Sequence, residues 1–437
     1  MKLSVYGFIV SIFFSIFSNA QEVPLEEVIR MGIQKNFDVR ILQKTGEAAA
    51  NDNRFAFGAF LPQLNANGAY IKTTNASRNV TFADVETIRE WAKSTNTQGQ
   101  VQLLWTLFDG TKMFATRKRI GELAALGEIN VRNQLINSTA AIIINYYNII
   151  RQKQQLKAIR ELMKVSEERV KLAEKKLQVG TGGKPELLQA KVDLNAQRTA
   201  ILSQETVIQQ LKDQLNGLVG MDLPEVYDVA DTIPINLFLT KEEVLTDIDK
   251  TNQTIVAARK NIDVAQLVVR ENRALRSPIF NFTSAYNYNQ TENELATTPV
   301  AQKFTRNQGL NYGLTVSIPI INFLNVNSTI AASKINLERQ KIVYDQQLMI
   351  AVVGVRNAYI NYDNAKKTLL INEENIILAK ENVYIALEGF KRGITTALDL
   401  RTAQQSLADA YNLLIAARYN AKVSETELLR LKGALLN

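Results

Sequence analysis

The chain has 437 residues, 51 Lys and Arg against 43 Asp and Glu, a net charge of +8, and neither cysteine nor histidine. Without cysteine there is no disulfide framework and no lipid-anchored N-terminal cysteine; without histidine the commonest general base and metal ligand are missing. No phosphate loop, GxSxG or HExxH pattern is present, so the chain does not read as an enzyme, and neither a cofactor nor a metal is expected.

Lys2, the apolar run Leu3 to Phe17 and Ser18-Asn19-Ala20 read as a secretory signal peptide, residues 1–20. The run is shorter than the roughly twenty apolar residues a membrane anchor needs. Basic residues elsewhere are interleaved with acidic ones, as between Glu161 and Lys176, which describes solvated helix faces and no nucleic-acid groove. The tightest basic cluster, Arg117-Lys118-Arg119, reads first as an exposed helix turn and second as an anionic-lipid contact.

From residue 33 to 60 the pattern is helical, closed by Pro62. Strict alternation then marks strands at 63–72 and 98–108, with Leu64, Ala66, Gly68 and Tyr70 on one face and Val101, Leu103, Trp105 and Leu107 on its counterpart. The polar segment 72–97 between them reads as a long hairpin loop. A long helix covers 111–179, with Leu135, Ile142, Ile149, Leu156, Met163, Val170 and Leu177 recurring every seventh residue; such a seam requires a supercoiled partner. After the turn Val179-Gly180-Thr181-Gly182 a shorter helix covers 185–219. Residues 221–241, with Pro224 and Pro234, link to a second pass of the same elements.

That second pass is a duplication. The turn Arg392-Gly393-Ile394-Thr395 echoes the first at an offset of 213, an offset that also sets Asp109 on Asn322, Tyr146 on Tyr359, Leu215 on Leu428 and Gly220 on Gly433. Upstream the offset is 216, placing Asn36 on Asn252 and Pro62 on Pro278. The first repeat is therefore 21–220 and the second 242–437, with strands at 279–290 and 308–320, a loop at 290–307, a long helix at 324–392 and a shorter one at 397–432. The long helix 111–179 would span roughly 100 Å at 1.5 Å per residue, and helix 185–219 about half of that. The helix at 33–60 has the length to supply the rest by stacking end to end on the shorter one.

The polar faces of the strands carry Asn, Gln, Ser and Thr in place of charges, and no second apolar layer remains to cover the other faces. This pattern matches transmembrane β-strands, lipid on one side and a lumen on the other, better than a sheet on a soluble core. Four strands cannot close a barrel, and open edges are not tolerated in lipid, so the chain must oligomerise; two, three or four copies would give eight, twelve or sixteen strands.

The two glycine turns with the following Glu186 and Asp399, the strand exit Leu107-Phe108-Asp109-Gly110, the entry Gly58-Ala59-Phe60-Leu61-Pro62-Gln63-Leu64 and the duplication together resemble the TolC-like outer membrane efflux proteins over nearly the whole mature chain. The resemblance implies a fold that is mainly α with a membrane β-barrel: duplicated coiled-coil hairpins and four transmembrane strands per chain, assembled as a homotrimer with a twelve-stranded barrel and a twelve-helix periplasmic tunnel. It also implies a passive exit duct in the outer membrane of a Gram-negative bacterium, serving efflux or type I secretion. The implied partners are a periplasmic adaptor and an inner-membrane transporter. The competing reading is a periplasmic structural coiled coil without a pore.

On this reading Val179, Gly180, Thr181, Gly182, Arg392, Gly393, Ile394 and Thr395 form the adaptor-docking tip, while helix capping is the plain alternative for the glycines. Asp399, Glu186, Phe390 and Thr402 form the expected periplasmic gate. Threefold symmetry would turn Asp399 into an acidic ring; the plain alternative is a carboxylate favoured by a helix N-terminus. Thr402 stands where the family often has a second acid, and Phe390 where it often has a tyrosine, so the usual clasp is not available.

Overall fold

The computed structural model describes residues 21–80, 82, 86–221, 223, 224, 227–294, 302–320 and 323–436. The expected signal peptide lies outside the described residues, as do Asn322 and residues 295–301 of the second expected loop. The first repeat runs as β1 (Gln21–Glu22), α1 (Leu25–Lys35), α2 (Phe37–Phe55), a 3-10 turn (Ala56–Phe60), β2 (Gln63–Val80), β3 (Glu86–Phe108), α3 (Lys112–Gln178) and α4 (Lys184–Leu218). The second runs as β4 (Tyr227–Asp228), α5 (Lys241–Leu245), α6 (Ile248–Thr251), α7 (Gln253–Ala274), β5 (Ile279–Asn293), β6 (Phe304–Ser317), α8 (Phe323–Lys391) and α9 (Ala397–Lys432). The chain packs as two compact units: a helical one of Met1–Gln43, Val131–Thr254 and Leu348–Asn437, and a strand-bearing one of Lys44–Asn130 and Ile255–Gln347.

In the strand-bearing unit the two hairpins join edge to edge through β3 and β5, giving a four-stranded antiparallel sheet in the order β2-β3-β5-β6. β2 and β6 are left as edges among the described residues. The first hairpin is longer than its alternation suggests. The expected loop 72–97 is mostly ladder, pairing Lys72 with Thr95, Thr74 with Lys93 and Val80 with Glu86, with a register shift between Asn75 and Ser77. Period two reports two different environments on the two faces, whereas backbone pairing needs only extended residues, and Thr supplies them there. β5 likewise extends to Asn293 and β6 begins at Phe304, but β6 stops at Ser317 instead of 320, because Pro319 has no N–H for the ladder and restricts the residue before it.

At the strand-to-helix junction Asp109 accepts the Met113 amide on both carboxylate oxygens, at 3.1 and 2.9 Å, which starts α3. Gly110 has φ +72°, and a Cβ there would lie 2.6 Å from the Ala274 carbonyl oxygen. Only glycine fits that approach of the α7 end.

In the helical unit side-chain bonds set the order α4, α3, α9, α8. Arg160 reaches Glu205 of α4, Gln155 reaches Asn412 of α9, and Arg418 of α9 reaches Glu373 of α8. The seven-residue seams face inward. In the second repeat Val355, Tyr362, Leu369, Ile376, Val383 and Phe390 of α8, and Leu400, Leu407, Leu414, Ala421 and Leu428 of α9, are all buried. Ala351, Ala358, Ala365 and Ala386 are buried as well, as close helix approach demands.

The helix expected at 33–60 is two helices and a 3-10 turn. It breaks at Asn36, whose Oδ1 accepts the Val39 amide at 3.1 Å while Nδ2 donates to the Leu218 carbonyl at 2.8 Å. The second repeat does the same with Asn252, which accepts the Thr254 amide at 3.1 Å and donates to the Leu431 carbonyl at 2.9 Å. Each short helix thus ends against the start of another, held by one asparagine that caps a helix start and satisfies a terminal carbonyl of its neighbour. The segment after α4 is packed, not loose: β4 pairs parallel with β1, and Tyr227 and Val229 are buried with Val28, Ile142, Tyr146 and Leu215. Tyr146 donates to the Val23 carbonyl at 2.9 Å and accepts the Ala230 amide at 3.2 Å.

Candidate functional site: the two interhelical turns

Both turns close by the same hydrogen bonds. Gly180 has φ +76°; its amide donates to the Leu177 carbonyl at 3.1 Å and the Thr181 amide to Lys176 at 2.9 Å. Gly393 has φ +75°; its amide donates to Phe390 at 3.2 Å and the Ile394 amide to Gly389 at 2.9 Å. These are Schellman ends, in which a left-handed glycine lets two amides satisfy carbonyls that the helix leaves open. A Cβ on Gly180 or Gly393 would meet no atom within 4 Å. The glycines are therefore required by backbone conformation, and the space over them is open. Each turn shows solvent one apolar side chain, Val179 (72% exposed) and Ile394 (76% exposed). Thr181 and Arg392 are exposed, Gly182 packs on Lys176, and the Thr395 hydroxyl donates to the Ala386 carbonyl at 2.9 Å.

The helices leaving the turns start differently. Before α9, Thr396 and Asp399 form a capping box: the Asp399 amide donates to Thr396 Oγ1 at 3.1 Å, and Asp399 Oδ2 accepts the Thr396 amide at 2.9 Å and the Thr396 hydroxyl at 2.7 Å. The Thr396 hydroxyl bond and then its backbone bond hold the Asp399 carboxyl below the usual aspartate value. It is ionised at neutral pH and exposed. Before α4, Gly183 stands at the cap with no side chain to bond, and Pro185 removes one helix-start N–H. Glu186 holds the position of Asp399, and its Oε1 is buried without a hydrogen-bond partner among the described residues.

Phe390 is turned into the core. Its ring is 1% exposed, packed in the core with Val383, Ala386 and Leu400, and the Lys176 ammonium sits 3.7 Å from its centroid. The physical reason is its place on the buried seven-residue seam, which turns it inward between α8 and α9. Thr402 is exposed and donates to the Leu398 carbonyl one turn back, at 3.0 Å.

One polar cluster near the turns was not expected from the sequence. Arg169 of α3, with a side chain 4% exposed, donates to Asp193 of α4 at 2.8 Å; Gln189 also donates to Asp193, and Arg401 of α9 lies 3.6 Å from the same carboxylate. Three helices meet at one aspartate. Arg169 directly precedes the seam residue Val170, so a charge flanking the seam was the available signal.

The outer membrane efflux protein family profile matches residues 28–221 and 244–434. The chain is 21% identical over 435 residues to the outer membrane protein TolC of Salmonella enteritidis, covering 97% of this chain and 84% of that protein. It is 25% identical over 348 residues to the outer membrane efflux protein BepC of Brucella suis, covering 78% and 73%. Its fold matches the Campylobacter jejuni CmeC outer membrane channel with a TM-score of 0.76 at 16% identity, covering 94% of this chain and 85% of that one. With both halves of its duplication matched, the chain belongs to the outer membrane efflux protein family.

Proposed function

We propose that three copies of the chain close into the passive exit duct of a tripartite efflux or type I secretion system, with a periplasmic adaptor and an inner-membrane transporter as partners. The observation that carries this is the four-stranded sheet ending in two open edges, β2 and β6, with Tyr70, Leu310, Tyr312 and Leu314 exposed. Lipid does not tolerate such edges, and a closed ring of copies removes them. The outer faces of the helical unit support the same closure: Ile371, Leu378 and Ile385 form an exposed seven-residue row on α8. A pore-free periplasmic coiled coil would leave the apolar strand faces without cover.

In this duct the two Schellman turns are the adaptor-facing end, with Val179 and Ile394 as the contacts, and ionised Asp399 side chains from three copies form a cation-attracting ring. Glu186 and Thr402 lie beside that ring and Phe390 supports it from behind. Crosslinking of outer-membrane fractions should give trimers; a soluble elongated oligomer would overturn the duct. In planar bilayers Asp399→Ala should relieve block by multivalent cations, and unchanged block would remove the ring while leaving the duct standing.

A further inference from the structure

Between the start of α3 and the end of α7 lies a cleft of about 410 Å³ lined by Thr111, Phe114, Lys118, Arg270, Arg273 and Ser277. Its charges are three cations and no carboxylate. None of Lys118, Arg270 or Arg273 has an ion-pair partner among the described residues, while the carboxylates nearby are already taken: Glu271 holds Arg119 at 2.8 Å and Glu122 holds Lys260 at 2.6 Å. Guanidinium pairs with hydroxyl donors beside them suit a phosphate diester, which accepts several hydrogen bonds and carries one negative charge.

A run of aromatic groups leads from this cleft to the apolar strand face. Phe114 is 56% exposed at the cleft. Its ring meets Phe60 edge to face at 5.1 Å, and the Phe60 carbonyl accepts the Trp105 indole N–H at 2.9 Å. Trp105 belongs to the alternating apolar row of β3, the row that faces lipid in a membrane-spanning strand. Cations at a membrane boundary, next to rings that dip into the apolar layer, are the arrangement that holds a lipid headgroup.

The duplication does not repeat this set of side chains. At the offsets that relate the repeats, Lys118 corresponds to Ala331, Arg273 to Phe57, Ser277 to Leu61 and Arg270 to Arg54. These counterpart positions carry one cation and no hydroxyl, so the cationic set is particular to this cleft and not a product of the duplication.

We infer that this cleft binds the phosphate headgroup of a phospholipid from the periplasmic leaflet of the outer membrane, one per chain, with the acyl chains lying along Phe114 and Trp105. The inference rests on the membrane-spanning reading of the strands. Native mass spectrometry of the wild-type protein, extracted from outer membranes and reconstituted with phosphatidylglycerol, should show bound phospholipid. The variant Lys118→Gln/Arg270→Gln/Arg273→Gln should lower that occupancy about tenfold. Arg117→Gln, an exposed cation one residue away from the lining, should leave it unchanged. Arg270→Gln alone, an exposed change that leaves packing intact, should give a partial loss and stands in if the triple variant fails to assemble.

Equal lipid retention in wild type and the lining variants, or equal loss in Arg117→Gln, overturns the inference. Binding of inorganic phosphate by phosphorus NMR without lipid retention assigns the cleft to a soluble anion and overturns the lipid. Absence of wild-type protein from the outer-membrane fraction overturns the duct and this site together, whereas outer-membrane protein with unaltered lipid binding overturns this site alone.

Discussion

The two interhelical turns share their backbone and differ in how the helices beside it are held. The second is closed on both sides: α8 ends over buried Phe390, and α9 starts in the Thr396–Asp399 box with Leu400, Ala403 and Leu407 buried behind it. The first is under-determined. Gly183 offers no cap, Glu186 leaves an oxygen unpaired, and the apolar cluster there is small, with Val170, Ala190 and Leu194 buried and Met163 and Leu187 partly so. What the first turn has instead is Arg169, which fastens α3 to α4 through Asp193. One hairpin is held by packing and a cap, the other by a buried ion pair.

That contrast is open to test, beginning with the largest effect. Arg169→Ala leaves Asp193 with only the Gln189 bond and the longer Arg401 contact and should cost up to about 3 kcal/mol, since removing one member of a buried pair leaves the other poorly compensated. Arg401→Ala, on a side chain 55% exposed, should cost well under about 1 kcal/mol. Thermal unfolding of both variants decides whether the first hairpin depends on its ion pair; equal shifts would refute this account.

Gly180→Ala and Gly393→Ala should each cost about 1–2 kcal/mol, because an L side chain resists the left-handed conformation and no clash adds to it. A larger loss of transport than of melting temperature in either would mark a docking role beyond capping. Thr396→Ala should cost about 1 kcal/mol, and Gly183→Ser should return a few tenths by giving α4 the cap it lacks.

The smallest effect concerns pH. The Asp399 carboxyl is held low in the folded chain, so its contribution is fully present above the unfolded aspartate value of 3.8 and disappears as pH falls below it. Acid should loosen the α9 start before the α4 start, read by amide exchange at Asp399 against Glu186. In Thr396→Val this difference should vanish.

Periodicity was enough to place the strands, the long helices and the turns, because period two and period seven each follow directly from backbone geometry. It was blind where geometry stops depending on pattern. The polar half of β2 and β3 is extended by backbone pairing alone, and the break at Asn36 depends on the Leu218 carbonyl, 182 residues away. The glycines and the acid at each turn were legible as positions, but their work was not. Whether a carboxylate closes a capping box depends on the residue three before it, which is threonine in one turn and glycine in the other.

The sequence by itself determined a duplicated chain of alternating strands and heptad helices, since these follow from spacing. Only the tertiary structure decided which residues of that pattern are core and which are free. Phe390 went to the interior because α9 packs over it, Asp193 became a junction because three helices meet there, and Lys118, Arg270 and Arg273 came together because the tight approach at Gly110 brings α7 against α3.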